Sequence, residues 1–261
     1  MLVEGAETRA LREYFADGRP PRDLTRPLVI EAPIAIEING IGYAVMMGTP
    51  TDLEDYALGF CLSEQLIATR DEFLSCAAAQ LPSGGWMLRI QLATSGAAPL
   101  LERARLRLAE GSCGLCGIES LEQVLKPLQS VSARLQLASN APFRAIGALA
   151  ERQPLGEATR AAHAAAFCTP EGDIVTVRED VGRHNAFDKL LGALAHAGIA
   201  PDTGFVLLTA RCSFELVQKA VIAGIPVLAT ISAASSLAAD QAAAYGLRLM
   251  TVARPDSFVE V

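Results

Sequence analysis

The stretch Asp173-Ile-Val-Thr-Val-Arg-Glu-Asp-Val-Gly-Arg-His-Asn185 decides the fold. Ile174 to Val177 reads as a strand. A polar run follows at its carboxyl end, and Asn185 to Ala197 reads as a helix. The same alternation continues downstream. Phe205–Thr209, Val227–Ile231 and Leu247–Val252 are short apolar runs of strand length, separated by helical patterns at Phe214–Ala223 and Leu237–Tyr245. Gly182, Gly204, Gly224 and Gly246 punctuate these elements where turns and helix ends belong. Such alternation predicts an α/β layer with several parallel strands. In open sheets of that kind, ligands bind beyond the carboxyl ends of the strands. Helix N-termini there favour phosphate.

The polar run itself carries suitable chemistry. Arg183 offers forked bonds to phosphate or carboxylate. His184 donates, accepts or carries a proton. Asp180 and Asn185 suit ribose or base edges. Singly, each such residue is ordinarily a cap or a surface ion pair; six polar residues packed at one strand end favour a site.

Upstream, Pro33–Ile38 and Ile41–Met46 flank Asn39-Gly40, a hairpin signal. Thr51 with Glu54 has the capping-box spacing, which predicts a helix from Thr51 that buries Leu53, Ala57, Phe60 and Cys61. Alternation over Trp86–Leu92 predicts another strand. Residues up to Arg26 are polar, contain Pro20-Pro21, and read as a mobile lead-in. The expected division is a lead-in over 1–26, a small α+β part over 27–110, a loop over 111–117, and an α/β domain over 118–261.

That loop reads Gly111-Ser-Cys-Gly-Leu-Cys-Gly117. Cys113 and Cys116 lie three apart among glycines, which leave little bulk over the thiols. Cys61, Cys76, Cys168 and Cys212 form no second close pair, so a zinc site from sequence-adjacent ligands is disfavoured, and the spacings do not resemble a secreted disulfide framework. The remaining reading is a loop that carries a reactive sulfur. Arg103, Arg105 and Arg107 alternate with apolar residues and lead into the loop as a candidate cationic strand face. Leu121, Val124, Leu125 and Leu128 beyond it have helical spacing. His163 followed by Ala165 lacks the glutamate of a zinc deaminase motif, so that reaction is disfavoured.

The chain has 261 residues, 51% hydrophobic and 20% charged, with a formal charge of −7. That charge argues against non-specific nucleic-acid binding. No apolar run has the length of a membrane span, and Met1–Pro21 lacks a signal-peptide core. A cytoplasmic location is the expectation.

At this point the chain resembles the FdhD family of formate dehydrogenase accessory sulfurtransferases. The resemblance is carried by Glu31-Ala-Pro33, Thr49-Pro50-x-Asp52, Gly59-Phe60, the Cys113–Cys116 loop, His163-Ala-Ala-Ala166, Glu179-Asp-Val-Gly-Arg-His-Asn-Ala186, Asp188-Lys189, and Ser213-Phe-Glu215 with Lys219. It implies a cytidine-deaminase-like α/β domain with a smaller N-terminal α+β part, a homodimer, and no tightly bound metal of its own. It implies that a cysteine desulfurase passes sulfur to Cys113 as a persulfide, with Cys116 assisting. The sulfur then goes to the Mo-bis-molybdopterin guanine dinucleotide cofactor destined for apo formate dehydrogenase or a related molybdoenzyme. It further implies a cofactor loop at Val252-Ala253-Arg254-Pro255-Asp256-Ser257, in addition to Asp180, Gly182, Arg183, His184, Asn185 and Arg211. Departures from the family pattern fall at Gln65, Arg160, Cys212 and Pro255. Cys212 reads as a packing replacement. Two other readings are a cofactor-binding chaperone that moves no sulfur and a CxxC thiol-disulfide oxidoreductase.

Overall fold

The computed structural model describes residues 3–82, 84–93 and 127–261. The CxxC loop and the arginine strand read over 103–107 lie outside the described residues, as does all but the end of the helix read over 121–128.

The α/β alternation folds into a six-stranded sheet. It contains β7 (His163–Cys168), β8 (Ile174–Asp180), β9 (Phe205–Leu208), β10 (Val227–Thr230), β11 (Arg248–Thr251) and β12 (Val259–Glu260), ordered β12-β11-β10-β9-β7-β8. Strands β9, β10 and β11 are parallel, and β7 runs antiparallel to both β8 and β9. The sheet is therefore mixed, with a parallel centre.

The central runs are apolar throughout because both faces are covered. Val206, Leu208, Leu228 and Leu249 point into one core with Phe187, Leu190, Leu216 and Val217. The alternate residues Phe205, Leu207, Val227 and Met250 point the other way, against Ala141, Ala145 and Leu149. The first core is supplied by helices α4 (Arg183–Ala197), α5 (Phe214–Ile222) and α6 (Ser236–Tyr245), the second by α2 (Ala141–Leu149). Burying one Leu or Phe side chain contributes roughly 1.5–3 kcal/mol, so a strand apolar on both faces requires a layer on each.

The N-terminal part is a four-stranded sheet ordered β4-β3-β6-β5, made of β3 (Ala32–Ile38), β4 (Ile41–Gly48), β5 (Phe73–Gln80) and β6 (Trp86–Leu92). Asn39 and Gly40 both have positive φ (49° and 80°), which the tight turn between β3 and β4 requires. Ile34, Ile36 and Ile38 alternate inward and pack on α1 (Leu53–Ser63) through Tyr56 and Phe60. Cys61 belongs to this core, as the sequence pattern predicts.

Two expectations are corrected. The polar lead-in is instead an antiparallel ribbon of β1 (Ala6–Glu13) and β2 (Arg22–Val29), with Leu11 opposite Leu24. Both its faces carry exposed polar side chains, so no core-facing alternation marks it. The first helix begins at Leu53 with Asp52, in a left-handed conformation, as its N-cap and no side-chain cap bond. The Thr51 hydroxyl is taken instead by Lys189 Nζ at 3.1 Å. A true capping box forms at Thr69 and Glu72, over a single 3₁₀ turn.

Helices α1 and α4 bind the two sheets together. They cross so closely that a Cβ at Gly59 would lie 1.7 Å from the Asp188 carbonyl oxygen, and one at Gly192 would lie 1.9 Å from that of Asp55. Short α3 (Pro154–Thr159) leads into β7. Among the described residues no helix is long and apolar enough to cross a membrane.

Candidate functional site at the carboxyl edge of the sheet

The topology gathers the polar residues at one edge. Asp180 ends β8 and pairs in register with His163 at the start of antiparallel β7. Thr209 to Arg211 follow β9, Ser232 follows β10, and Val252 follows β11. The sequence-predicted residues Asp180, Gly182, Arg183, His184, Asn185, Arg211 and Val252–Ser257 thus lie along one rim, where ligands of such sheets bind.

Within that rim the residues divide by role. Asp180 is fully buried. One of its carboxylate oxygens accepts from Thr49 N at 3.0 Å and pairs with Lys189 Nζ at 2.8 Å. The other accepts from Gly182 N at 2.7 Å and Asn185 Nδ2 at 3.1 Å. Asn185 Nδ2 also donates to the Met47 carbonyl, and Lys189 Nζ donates to the Thr49 and Glu179 carbonyls. An unpaired buried charge costs several kcal/mol; here each is paired and hydrogen-bonded. Asp180 and Asn185 are therefore committed to tying the end of β4 to the start of α4. Thr49 and Lys189 hold this network, Thr49 from 131 residues away in the chain, a role that the pattern of charges did not reveal.

The network leaves Arg183 and His184, both half-buried, in the first turn of α4, a helix whose N-cap is Gly182. Arg183 Nε is buried without a hydrogen-bond partner among the described residues. A guanidinium donor left so costs about 1–3 kcal/mol or more, an arrangement that an anionic ligand would relieve. His184 Nε2 lies 3.5 Å from Ser213 Oγ. Burial, reinforced by Arg183 and Lys219, pushes its imidazole down to about 4, so it is a neutral hydrogen-bonding group at physiological pH.

His163 Nδ1 lies 2.9 Å from the Thr209 carbonyl. A carbonyl only accepts, so Nδ1 carries the proton and Nε2 is left as an acceptor when the ring is neutral. The ring opens onto a groove of about 530 Å³ shared with Thr209, Gln153, Glu157 and Arg160. Arg211 and Arg254 are exposed. Arg254 Nη1 donates to the carbonyls of Ile231 and Ala253, and Arg254 N donates to the Ser257 carbonyl at 2.7 Å, which closes a turn over Pro255 and Asp256.

Val252 begins that turn at φ 51°, a conformation that β-branched residues resist. Strain of this kind costs of order 1–3 kcal/mol and concentrates at functional sites. Val252→Gly is expected to raise stability by about 0.5–1 kcal/mol, since the relieved strain outweighs glycine's extra unfolded-state entropy. Urea denaturation checks this; a destabilised variant would show that the turn is not strained.

The geometry describes a rim of arginines and imidazoles above a closed polar network. The model of the FdhD/NarQ family matches residues 29–260. The chain belongs to the FdhD/NarQ family. A relative from Variovorax paradoxus, named sulfur carrier protein FdhD, is 45% identical over 232 residues, covering 89% of this chain and 83% of the relative. One of the same name from Agrobacterium fabrum is 39% identical, covering 98% and 94%. The crystal structure of a candidate formate dehydrogenase accessory protein from Desulfotalea psychrophila superposes with a TM-score of 0.73 at 23% identity, covering 98% of this chain and 96% of that one. This last likeness concerns the fold. The Glu179–Ala186 block is the strand-to-helix junction that builds the rim.

Proposed function

We propose that this chain is a sulfur carrier that serves a formate dehydrogenase or related molybdoenzyme. The Cys113 thiolate attacks the terminal sulfur of a cysteine desulfurase persulfide. A new S–S bond forms at Cys113, the donor's S–S bond breaks, and the desulfurase thiolate leaves. No outside oxidant is needed, because the sulfane sulfur carries its own oxidation state. Cys116 assists, and the sulfur is delivered to the bis-molybdopterin guanine dinucleotide cofactor, the substrate of the transfer.

The observation that carries this reading is the chemistry of the other thiols. Burial pushes Cys76 up to about 11, and Cys168 and Cys212 to about 12, and raises Cys61 as well. At pH 7 a thiol at 11 is ionised in roughly one molecule in ten thousand, and the thiolate is the nucleophile. Family membership and the glycine-flanked pair then point to Cys113 and Cys116. The rim supports the acceptor side. A polyanionic dinucleotide suits Arg183, Arg211 and Arg254 together with the backbone of Val252–Ser257, and His184 suits a base or sugar edge.

The reading includes a cytoplasmic homodimer. It also includes a cytidine-deaminase-like arrangement for the six-stranded sheet and its helices. The test is mass spectrometry of the protein after incubation with a desulfurase and cysteine. One added sulfur on a peptide containing Cys113 or Cys116 is expected. Absence of added sulfur under conditions where a known acceptor is loaded would favour a cofactor-binding chaperone instead.

A further inference from the structure

Behind the first turn of α4 lies a buried ion cluster that the proposed sulfur relay does not use. Asp188 follows His184 by one helical turn and is 2% exposed. Lys219 of α5 donates to both Asp188 oxygens, at 2.7 and 2.9 Å, and to Ser63 Oγ at 2.8 Å. Ser63, at the end of α1, donates to Asp188 at 2.7 Å. Burial pushes the Asp188 carboxyl up, and Lys219 and Ser63 pull it back.

A buried ion pair is seldom a net gain over well-packed apolar groups, so its location calls for another account. It joins three helices within one turn of the rim. Ser213, which faces His184, is the N-cap of α5, and Lys219 sits farther along that helix. We infer that the Ser63–Asp188–Lys219 bracket is a positioning device: it holds the start of α5 against the first turn of α4 and so fixes both the placement and the charge state of the His184 imidazole.

The groups that act on His184 come from each packed element. Arg183 on α4 and Lys219 on α5 oppose its protonation, while Glu215 on α5 and Glu64 at the end of α1 favour it, all beneath a larger effect of burial. The unfolded imidazole takes its proton near pH 6.5 and the native one near 4. The unfolded state therefore binds more protons between those values, and the native state loses stability as pH falls through that window.

That His184 meets the ligand rests on the function proposed above, but the bracket is tested without ligand. The chain has 3 histidines, and the His184 ring signal is assigned by its loss in His184→Gln. NMR titration of the full chain is expected to show that ring neutral down to about pH 4. In the double variant Asp188→Asn, Lys219→Met, which removes both charges of the buried pair and also takes Lys219 from Glu64, 3.8 Å away, the midpoint is expected to rise by about one pH unit or more, and the acid loss of stability to shrink. An unchanged midpoint overturns the inference. Where the double variant does not fold, Ser63→Ala decides. That change keeps the ion pair and removes the hydroxyl that joins it to α1. Shifted His184 ring resonances at neutral pH are expected, and unshifted ones overturn the inference. Neither result depends on whether sulfur is carried.

Discussion

Cys113→Ala is expected to abolish persulfide loading from a desulfurase and to leave the client dehydrogenase at least about a hundredfold less active, because a covalent carrier without its nucleophile has no alternative route. Three of the four other cysteines supply the control. Cys168→Ala, Cys212→Ala and Cys76→Ser are expected to load sulfur at the wild-type level. Cys168 and Cys212 are buried, Cys76 is half-buried, and all three thiols are raised by desolvation. Cys212 packs among Leu208, Leu216 and Ala238, so its conversion to Ala leaves a small void and affects stability before chemistry. Loading is read by intact-mass spectrometry, activity by formate oxidation in cells that lack the native carrier. Full client activity in Cys113→Ala, or loss of loading in Cys212→Ala with the fold intact, would place the sulfur elsewhere.

The burial of Cys61 and Cys212 was legible in the sequence, and so was much of the fold. The strands from Ile174 onward are short, wholly apolar and bounded by glycines, because each is covered on both faces; local composition records that burial directly. The Asn39-Gly40 turn was legible for a similar reason, since its two positive φ angles demand those residue types. The ribbon over Ala6–Val29 was not legible. Its side chains face solvent on both sides, and a strand with no buried face leaves no period-two record.

The rim shows the same limit. The cluster at Arg178–Asn185 was visible as a concentration of polar residues at a strand end, yet the roles within it were not. Asp180 and Asn185 are held by Thr49 and Met47, more than 130 residues away along the chain. Likewise Thr51 has the spacing of a helix cap and serves instead as an acceptor for Lys189. Capping and ligand binding draw on the same hydroxyls and carboxylates, and tertiary partners decide between them. Among the described residues of the cluster, the side chains of Asp180 and Asn185 are taken up by tertiary partners, while Arg183 keeps a buried Nε without a protein partner.

Gly59→Ala is expected to cost at least about 4 kcal/mol or to prevent folding, a size reserved for severe overpacking. Its new methyl group would sit 1.7 Å from the Asp188 carbonyl oxygen and 2.8 Å from Gly192 N. Both are backbone atoms of α4, and no rotamer change removes them. Relief requires the two helices to separate by more than an ångström, which opens the cores on either side of them. Gly192→Ala meets the Asp55 carbonyl at 1.9 Å and is expected to behave alike. Gly147→Ala is the contrast. It lies in α2 with no atom within 4 Å of its added Cβ, so helix propensity alone acts, and a gain of about 0.5–1 kcal/mol is expected. Urea denaturation of the three variants separates steric conflict from any general intolerance of Gly→Ala. A Gly59→Ala protein of near-native stability would mean that α1 and α4 do not approach so closely. The consequence extends to the rim, because Asp188 and Lys189 stand at this crossing. A helix pair pushed apart would loosen the Lys189–Asp180 pair and the Lys219 bracket together, so any folded Gly59 variant should bind the cofactor of the proposed transfer poorly even with Cys113 and Cys116 intact.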